Sequence, residues 1–197
     1  MYQKKYNKET EILELYTRGF NKEYYVREIA RLLKISPRTA QLTLENLEKK
    51  TILRSTARGK IKLYKLQKTQ AAREYLTITE IHKKVEFFDR HLVIKEIAEK
   101  ISPHIKGMAL IFGSYAKGKE KKDSDLDIFI VGKCESDKIR ETSKTYNHQI
   151  QIHNYPLEIF KKNVQDDILI KEVLENHIAF LNAEQFIEII WTKLIGA

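Results

Sequence analysis

The sequence has one cysteine, three prolines and seven glycines in 197 residues. Cys134 alone excludes an internal disulfide and cannot by itself anchor a zinc site. So little Pro and Gly argues against a long flexible linker. No apolar run approaches the roughly 18 residues of a membrane-spanning helix. The best run, residues 108–112, reads as a buried strand. The opening residues, Met1-Tyr2-Gln3-Lys4-Lys5-Tyr6-Asn7, contain no apolar stretch of the secretory type. These absences set the expectation of a cytoplasmic protein with no membrane partner.

What is present is charge, unevenly placed. Charged residues make up 32% and hydrophobic ones 42%, proportions of a globular chain rather than a disordered one. The length suits one medium domain or two small ones. The net charge is +9, but residues 1–68 carry 17 Lys and Arg against 7 Asp and Glu, whereas residues 69–197 carry 19 against 20. The excess therefore lies in the first third, where it suits a unit that meets a polyanion.

That first third has a readable order. Ile12, Leu15 and Tyr16 give a helix over residues 8–18, and Tyr24-Tyr25-Val26 a short strand. Ile29, Ala30, Leu32 and Leu33 line a helix over 27–33. Ser36 and Pro37 then open a third helix, Ser36 as cap and Pro37 at the first helical position. Ala40, Leu44 and Leu47 form its buried face; Arg38, Thr39, Gln41, Thr43 and Asn46 form the other. Two strands, over 52–56 and 61–66, flank the turn Ala57-Arg58-Gly59-Lys60. Ile61, Leu63 and Tyr64 are expected inward, with Lys60, Lys62 and Lys65 outward.

Residues 8–66 resemble a winged helix-turn-helix of the archaeal and bacterial regulator type. The resemblance implies double-stranded DNA as partner, a recognition helix and a wing. Ser36, Arg38, Thr39 and Gln41 would then meet DNA from the helix, and Arg54, Arg58, Lys60 and Lys62 from the hairpin.

Residues 69–100 read as a helical connector, with a break expected at Thr77-Ile78-Thr79. It is a candidate homodimer contact, or it packs on the second domain. Beyond it lie a strand over 107–112, Gly113-Ser114, a basic loop, and a strand over 125–131. Asp125 and Asp127 begin that strand. Alternation puts both carboxylates on one side, where their repulsion is relieved by a divalent cation, Mg²⁺ by preference for hard oxygen ligands. Gly113 permits close approach of a ligand, and Ser114 with nearby N–H groups can hold phosphate oxygens. Lys117, Lys119, Lys121 and Lys122 would meet a triphosphate or an acidic partner, or form a solvated loop.

The stretch Phe112-Gly113-Ser114-Tyr115-Ala116-Lys117-Gly118, followed by Ser124-Asp125-Leu126-Asp127, resembles the signature of the polymerase-β-like nucleotidyltransferase superfamily, its minimal branch in particular. The resemblance implies an enzyme that moves a nucleoside monophosphate from an NTP to an acceptor hydroxyl. Asp125 and Asp127 would hold Mg²⁺ or Mn²⁺, and Gly113, Ser114 and Lys117 the nucleotide. The minimal branch is similar to antitoxins that nucleotidylate a partner toxin, so a protein acceptor follows from the resemblance. Active members usually add a third carboxylate from a later strand. The corresponding strand, residues 148–153, offers Gln151 and His153 instead. This departure keeps open the alternative of a non-catalytic transcriptional regulator that only binds nucleotide.

The expected architecture is α/β in the α+β sense: a winged helix over residues 1–68, the connector over 69–100, and a mixed nucleotidyltransferase-fold sheet flanked by helices over 101–197. The tail, residues 166–194, reads as two helices, with Trp191 as packing.

Overall fold

The computed structural model describes residues 8–195; the extreme ends of the expected 1–68 and 101–197 units, residues 1–7 and 196–197, lie outside the described residues. The chain begins with α1 (Lys8–Thr17), β1 (Tyr24–Tyr25), α2 (Val26–Leu32), α3 (Pro37–Lys49), β2 (Leu53–Arg58) and β3 (Ile61–Leu66). The strands form an antiparallel sheet in the order β1-β3-β2. Helix α3 starts where its sequence dictates: the Thr39 N–H donates to Ser36 Oγ at 3.0 Å, with Pro37 next. Ala40, Leu44 and Leu47 are fully buried. Arg58 and Ile61 are register partners, so β2 and β3 turn through Gly59 and Lys60, Gly59 at φ +62°.

Three local expectations change. Leu32, expected to line the packed face of α2, is 48% exposed. In β3 the inward residues are Tyr64 and Leu66, while Ile61 is 50% exposed. The period of two is intact but belongs to the even-numbered set. Tyr64 and Leu66 join the core, and the Tyr64 backbone carbonyl accepts the Tyr16 hydroxyl at 3.0 Å. Asn46 points to α1, donating to Glu9, which also pairs with Lys50 at 2.8 Å.

Helix α4 (Gln70–Arg90) is continuous over 21 residues, with no break at Thr77-Ile78-Thr79. Both threonine hydroxyls bond back to carbonyls one turn earlier, Thr77 to Arg73 at 3.1 Å and Thr79 to Tyr75 at 2.8 Å. Those bonds satisfy the hydroxyls within the helix, so neither threonine has to leave it to find a partner. The break falls at His91, before α5 (Leu92–Ile101).

The second sheet has the order β6-β5-β4-β7. Strand β4 (Ile105–Ile111) follows a short 3₁₀ turn (Ser102–His104) and leads into α6 (Gly113–Ala116). Strand β5 (Leu126–Cys134) is antiparallel to β4 and parallel to β6 (Ile150–Tyr155). A parallel pair needs a crossover, and α7 (Ser136–Thr145) supplies it. Helices α8 (Leu157–Asn163) and α9 (Ile168–Glu175) follow, then β7 (Ile178–Leu181), α10 (Ala183–Ile190) and a π-helical turn (Trp191–Ile195). The tail thus holds a strand between its two helices. Residues 178–181 are a short apolar run, and periodicity alone cannot separate a buried strand from helix at that length.

Both faces of this sheet are covered. Leu126, Ile128 and Ile130 pack with Ile97 and Ile101 of α5. Phe129 and Val131 share a core with Phe160, Val173 and Phe186, and that core continues through Leu76 of α4 into Ile12 and Tyr16 of α1. The basic first third and the second sheet are therefore joined by one apolar core. Phe20, after α1, meets Phe186 of α10 edge-on, ring centroids 6.3 Å apart. Among the described residues no helix is long and apolar enough to cross a membrane.

Candidate functional site

Strand β4 runs into α6 through Gly113, at φ +68°. A Cβ at Gly113 would lie 2.0 Å from Asp127 Oδ2, so the Asp127 carboxylate lies in the space that the missing side chain leaves. The backbone fixes this approach, since the Phe112 N–H donates to the Asp127 carbonyl at 3.1 Å. The expected Gly113 and Asp127 thus meet at the ends of the two central strands, with Ser114 and Asp125 beside them in sequence. Lys117, at the end of α6, pairs with Glu172 of α9 at 2.8 Å.

Burial pushes the Asp127 carboxyl above its ordinary range; His153 and Lys117 act against this, while Asp125 and Glu172 add to it. A buried acid with other acids beside it is a natural partner for a cation. Oxygen ligands of this kind fit Mg²⁺ or Mn²⁺.

Glu172 is the residue that sequence reasoning missed. It lies 45 residues beyond Asp127, on an ordinary amphipathic helix, with no motif around it. Only the packing of α9 brings it close.

Strand β6 presents an amide where the resemblance led to the expectation of a third acid. Gln151 is the register partner of Asp127 in the parallel β5–β6 pair, and its Nε2 donates to Asp125 Oδ2 at 2.6 Å. His153, two residues on, packs its ring edge-on against Phe112 at 5.3 Å.

Next to Asp125 opens a cleft of about 450 Å³, lined by Lys122, Ser124, Lys144, His148 and Gln149 among others. Burial depresses the His148 imidazole, against the pull of Asp125, and His148 Nε2 lies 3.2 Å from the Tyr115 hydroxyl. The basic loop is tied down through Glu120, whose carboxylate meets His91 Nε2 at 2.9 Å. That bond holds the Glu120 carboxyl below its usual range.

The basic candidates of the first third lie elsewhere, on α3 and the β2–β3 hairpin. Arg38, Arg54, Arg58, Lys60 and Lys62 are exposed. Lys62 pairs with Glu48 of α3 at 2.8 Å, which ties the hairpin to that helix. Ser36 Oγ is engaged by Thr39, Gln41 donates to Glu45 at 2.8 Å, and Thr39 is half-buried. Leu42, 48% exposed beside them, is an apolar side chain on the same helix that sequence reasoning passed over.

No curated protein and no solved structure matches this chain. The family model described as a nucleotidyltransferase domain matches residues 91–190, a span that runs from the start of α5 to the end of α10 and includes Gly113-Ser114, Asp125, Asp127 and Glu172. The chain belongs to the nucleotidyltransferase domain family.

Proposed function

We propose that this protein is a DNA-binding nucleotidyltransferase, moving a nucleoside monophosphate from an NTP to an acceptor hydroxyl. The observation that carries the reading is the seating of Asp127 against Gly113, beside Asp125 and Ser114. Asp125 and Asp127 are the residues to hold Mg²⁺ or Mn²⁺, which supplies charge neutralisation on the triphosphate. The Ser114 hydroxyl and the N–H groups after Gly113 bind phosphate oxygens. Lys117 reaches the triphosphate by leaving Glu172. The acceptor oxygen forms a bond to the α-phosphorus as the bond to pyrophosphate breaks and the hydroxyl proton passes to water, and positioning supplies much of the rate. A hydroxyl on a partner protein, such as a toxin, is the acceptor that the resemblance implies.

The DNA-binding part rests on the order α1-β1-α2-α3-β2-β3, which is that of a winged helix-turn-helix, and on its charge. Helix α3 with Arg38, Thr39, Gln41 and its Ser36 cap would enter the major groove. Arg54, Arg58, Lys60 and Lys62 would reach the backbone from the hairpin. The units proposed are residues 1–68 for DNA, 69–100 as helical connector and 101–197 for nucleotide, in a cytoplasmic protein.

One observation favours a second reading, a regulator that binds nucleotide without transferring it. Gln151, opposite Asp127, cannot accept a proton from an acceptor hydroxyl. Calorimetric titration of each NTP with Mg²⁺ or Mn²⁺, paired with a pyrophosphate-release assay, separates the two. Metal-dependent binding that Asp125→Ala/Asp127→Ala loses, with pyrophosphate release, supports the enzyme. Binding without release on any protein or nucleic-acid acceptor supports the regulator. A folded chain that binds no NTP would overturn both.

A further inference from the structure

A cavity of about 230 Å³ lies between α1, α4, α6 and the turn into β7, with Glu14, Arg18, Lys83, Glu86, Lys117 and His177 on its wall. Glu14 comes from α1. Glu86 comes from α4, one turn after His82. His82 Nδ1 lies 3.7 Å from Glu14 Oε1 and 3.9 Å from Glu86 Oε2. One ligand atom from each residue lies within 4.8 Å of the others. Both separations are ion-pair distances, longer than a hydrogen bond. An ion about 2.0–2.2 Å from each of its ligands holds them roughly 3–4 Å apart.

A separate observation points to a missing ligand. Glu86 Oε1 is buried without a hydrogen-bond partner, a costly condition for a carboxylate oxygen. The neighbouring Lys83 does not supply the bond. Its ammonium is turned to Glu80 at 2.8 Å and to Thr17 at 3.1 Å. Burial raises the Glu14 carboxyl, with Glu86 adding to the effect and Lys83, Arg18 and His82 opposing it. The two carboxylates therefore lie close together at the cavity wall.

We propose that Glu14, His82 and Glu86 bind a divalent cation of the Zn²⁺ class, clipping α1 to α4 at a site distinct from Asp125 and Asp127. An imidazole with two carboxylates suits Zn²⁺ better than Mg²⁺ or Ca²⁺, which favour all-oxygen shells. His82 and Glu86, four residues apart on one helix, lie on one face. The cavity leaves room for water in the remaining coordination position. Because α1 belongs to the basic unit and α4 packs on α10 and β7, the ion would stiffen the joint between the two parts of the chain.

The test is calorimetric titration of Zn²⁺ alone into the full chain carrying Asp125→Asn/Asp127→Asn, which removes the other acidic pair. One equivalent is expected, with a rise in Tm. Glu14→Gln, His82→Asn and Glu86→Gln should each weaken binding by at least about tenfold and abolish the rise. Co²⁺ in place of Zn²⁺ should give visible absorption that the same variants lose. The three variants come from two helices, so a folding defect in one leaves the others to decide. Absence of Zn²⁺ binding by the folded parent, or binding unchanged in the folded variants, would overturn the proposal.

Discussion

The amide of Gln151 donates to Asp125 Oδ2 at 2.6 Å from the strand position that faces Asp127. A neutral group thus stands where a third acid would complete the cluster. Replacing it by Gln151→Glu places like charges together, so stability without metal should fall and Mg²⁺ should restore it. If deprotonation of the acceptor limits turnover, pyrophosphate release should rise by about tenfold or more. Melting curves with and without Mg²⁺, beside the release assay, read both effects. A variant whose stability ignores Mg²⁺ would show that Gln151 does not face the cation.

Gly113→Ala should be severe for two reasons. Its Cβ would clash with Asp127 Oδ2, and its φ of +68° is strained for any side chain. The strain costs about 1–3 kcal/mol. Asp127 must also move. Metal-dependent NTP binding should weaken by at least about a hundredfold, about 2.7 kcal/mol. Calorimetry gives the binding loss and denaturant titration the stability loss. Wild-type affinity in this variant would mean that Asp127 need not sit against residue 113.

Arg58 and Lys60 stand exposed at the hairpin turn. Changing either to alanine should weaken DNA binding across all sequences and reduce the slope of log affinity against log salt by about 1. Arg38→Ala, on the exposed start of α3, should instead alter sequence preference if it reaches a base edge. Lys62→Ala should have a smaller salt effect, because Lys62 already pairs with Glu48. Fluorescence anisotropy at several salt concentrations distinguishes these outcomes.

Acid should destabilise the protein through the buried group Glu80, Lys83 and His177, which joins α4 to the segment between α9 and β7. Burial, then Lys83, depress the His177 imidazole below its ordinary value of 6.5. Below that value an unfolded chain binds a proton that the folded chain refuses, so the contribution is present above pH 6.5 and is lost as pH falls below it. Glu80 acts in the same direction at lower pH. Burial would raise its carboxyl, but Lys83 and His177 outweigh burial and hold it down, so its contribution falls away below the ordinary value of 4.5. Tm should therefore drop from pH 7.5 to 5.5, and His177→Asn should flatten that slope. An equal slope in the variant would place the titration elsewhere.

Where the local sequence specifies its own geometry, expectation and structure agree. Ser36 and Pro37 fix the start of α3, because a cap and a proline at the first turn need only the next three residues. Gly113, Asp125 and Asp127 are legible for a similar reason. A period of two puts the acids on one face, and a glycine permits their close approach.

The remainder was decided by packing. Residues 77–79 stay helical because α4 packs on α1, β7 and α10 and buries Leu76, Thr79 and Glu80, while the threonine hydroxyls find carbonyls in the same helix. Residues 178–181 become a strand because the edge of β4 was open to pair with them. Tyr64 and Leu66, rather than Ile61, turn inward because they join the apolar core of α1 and α3. Glu172 comes near Asp127, and Glu14 near His82 and Glu86, through helices distant in sequence. Charge asymmetry, helix caps and the acid-bearing strand were written in the sequence because each depends on neighbours a few residues away. The supporting residues were not, because their partners are brought to them only by the shared apolar core that joins α1, α4 and the second sheet.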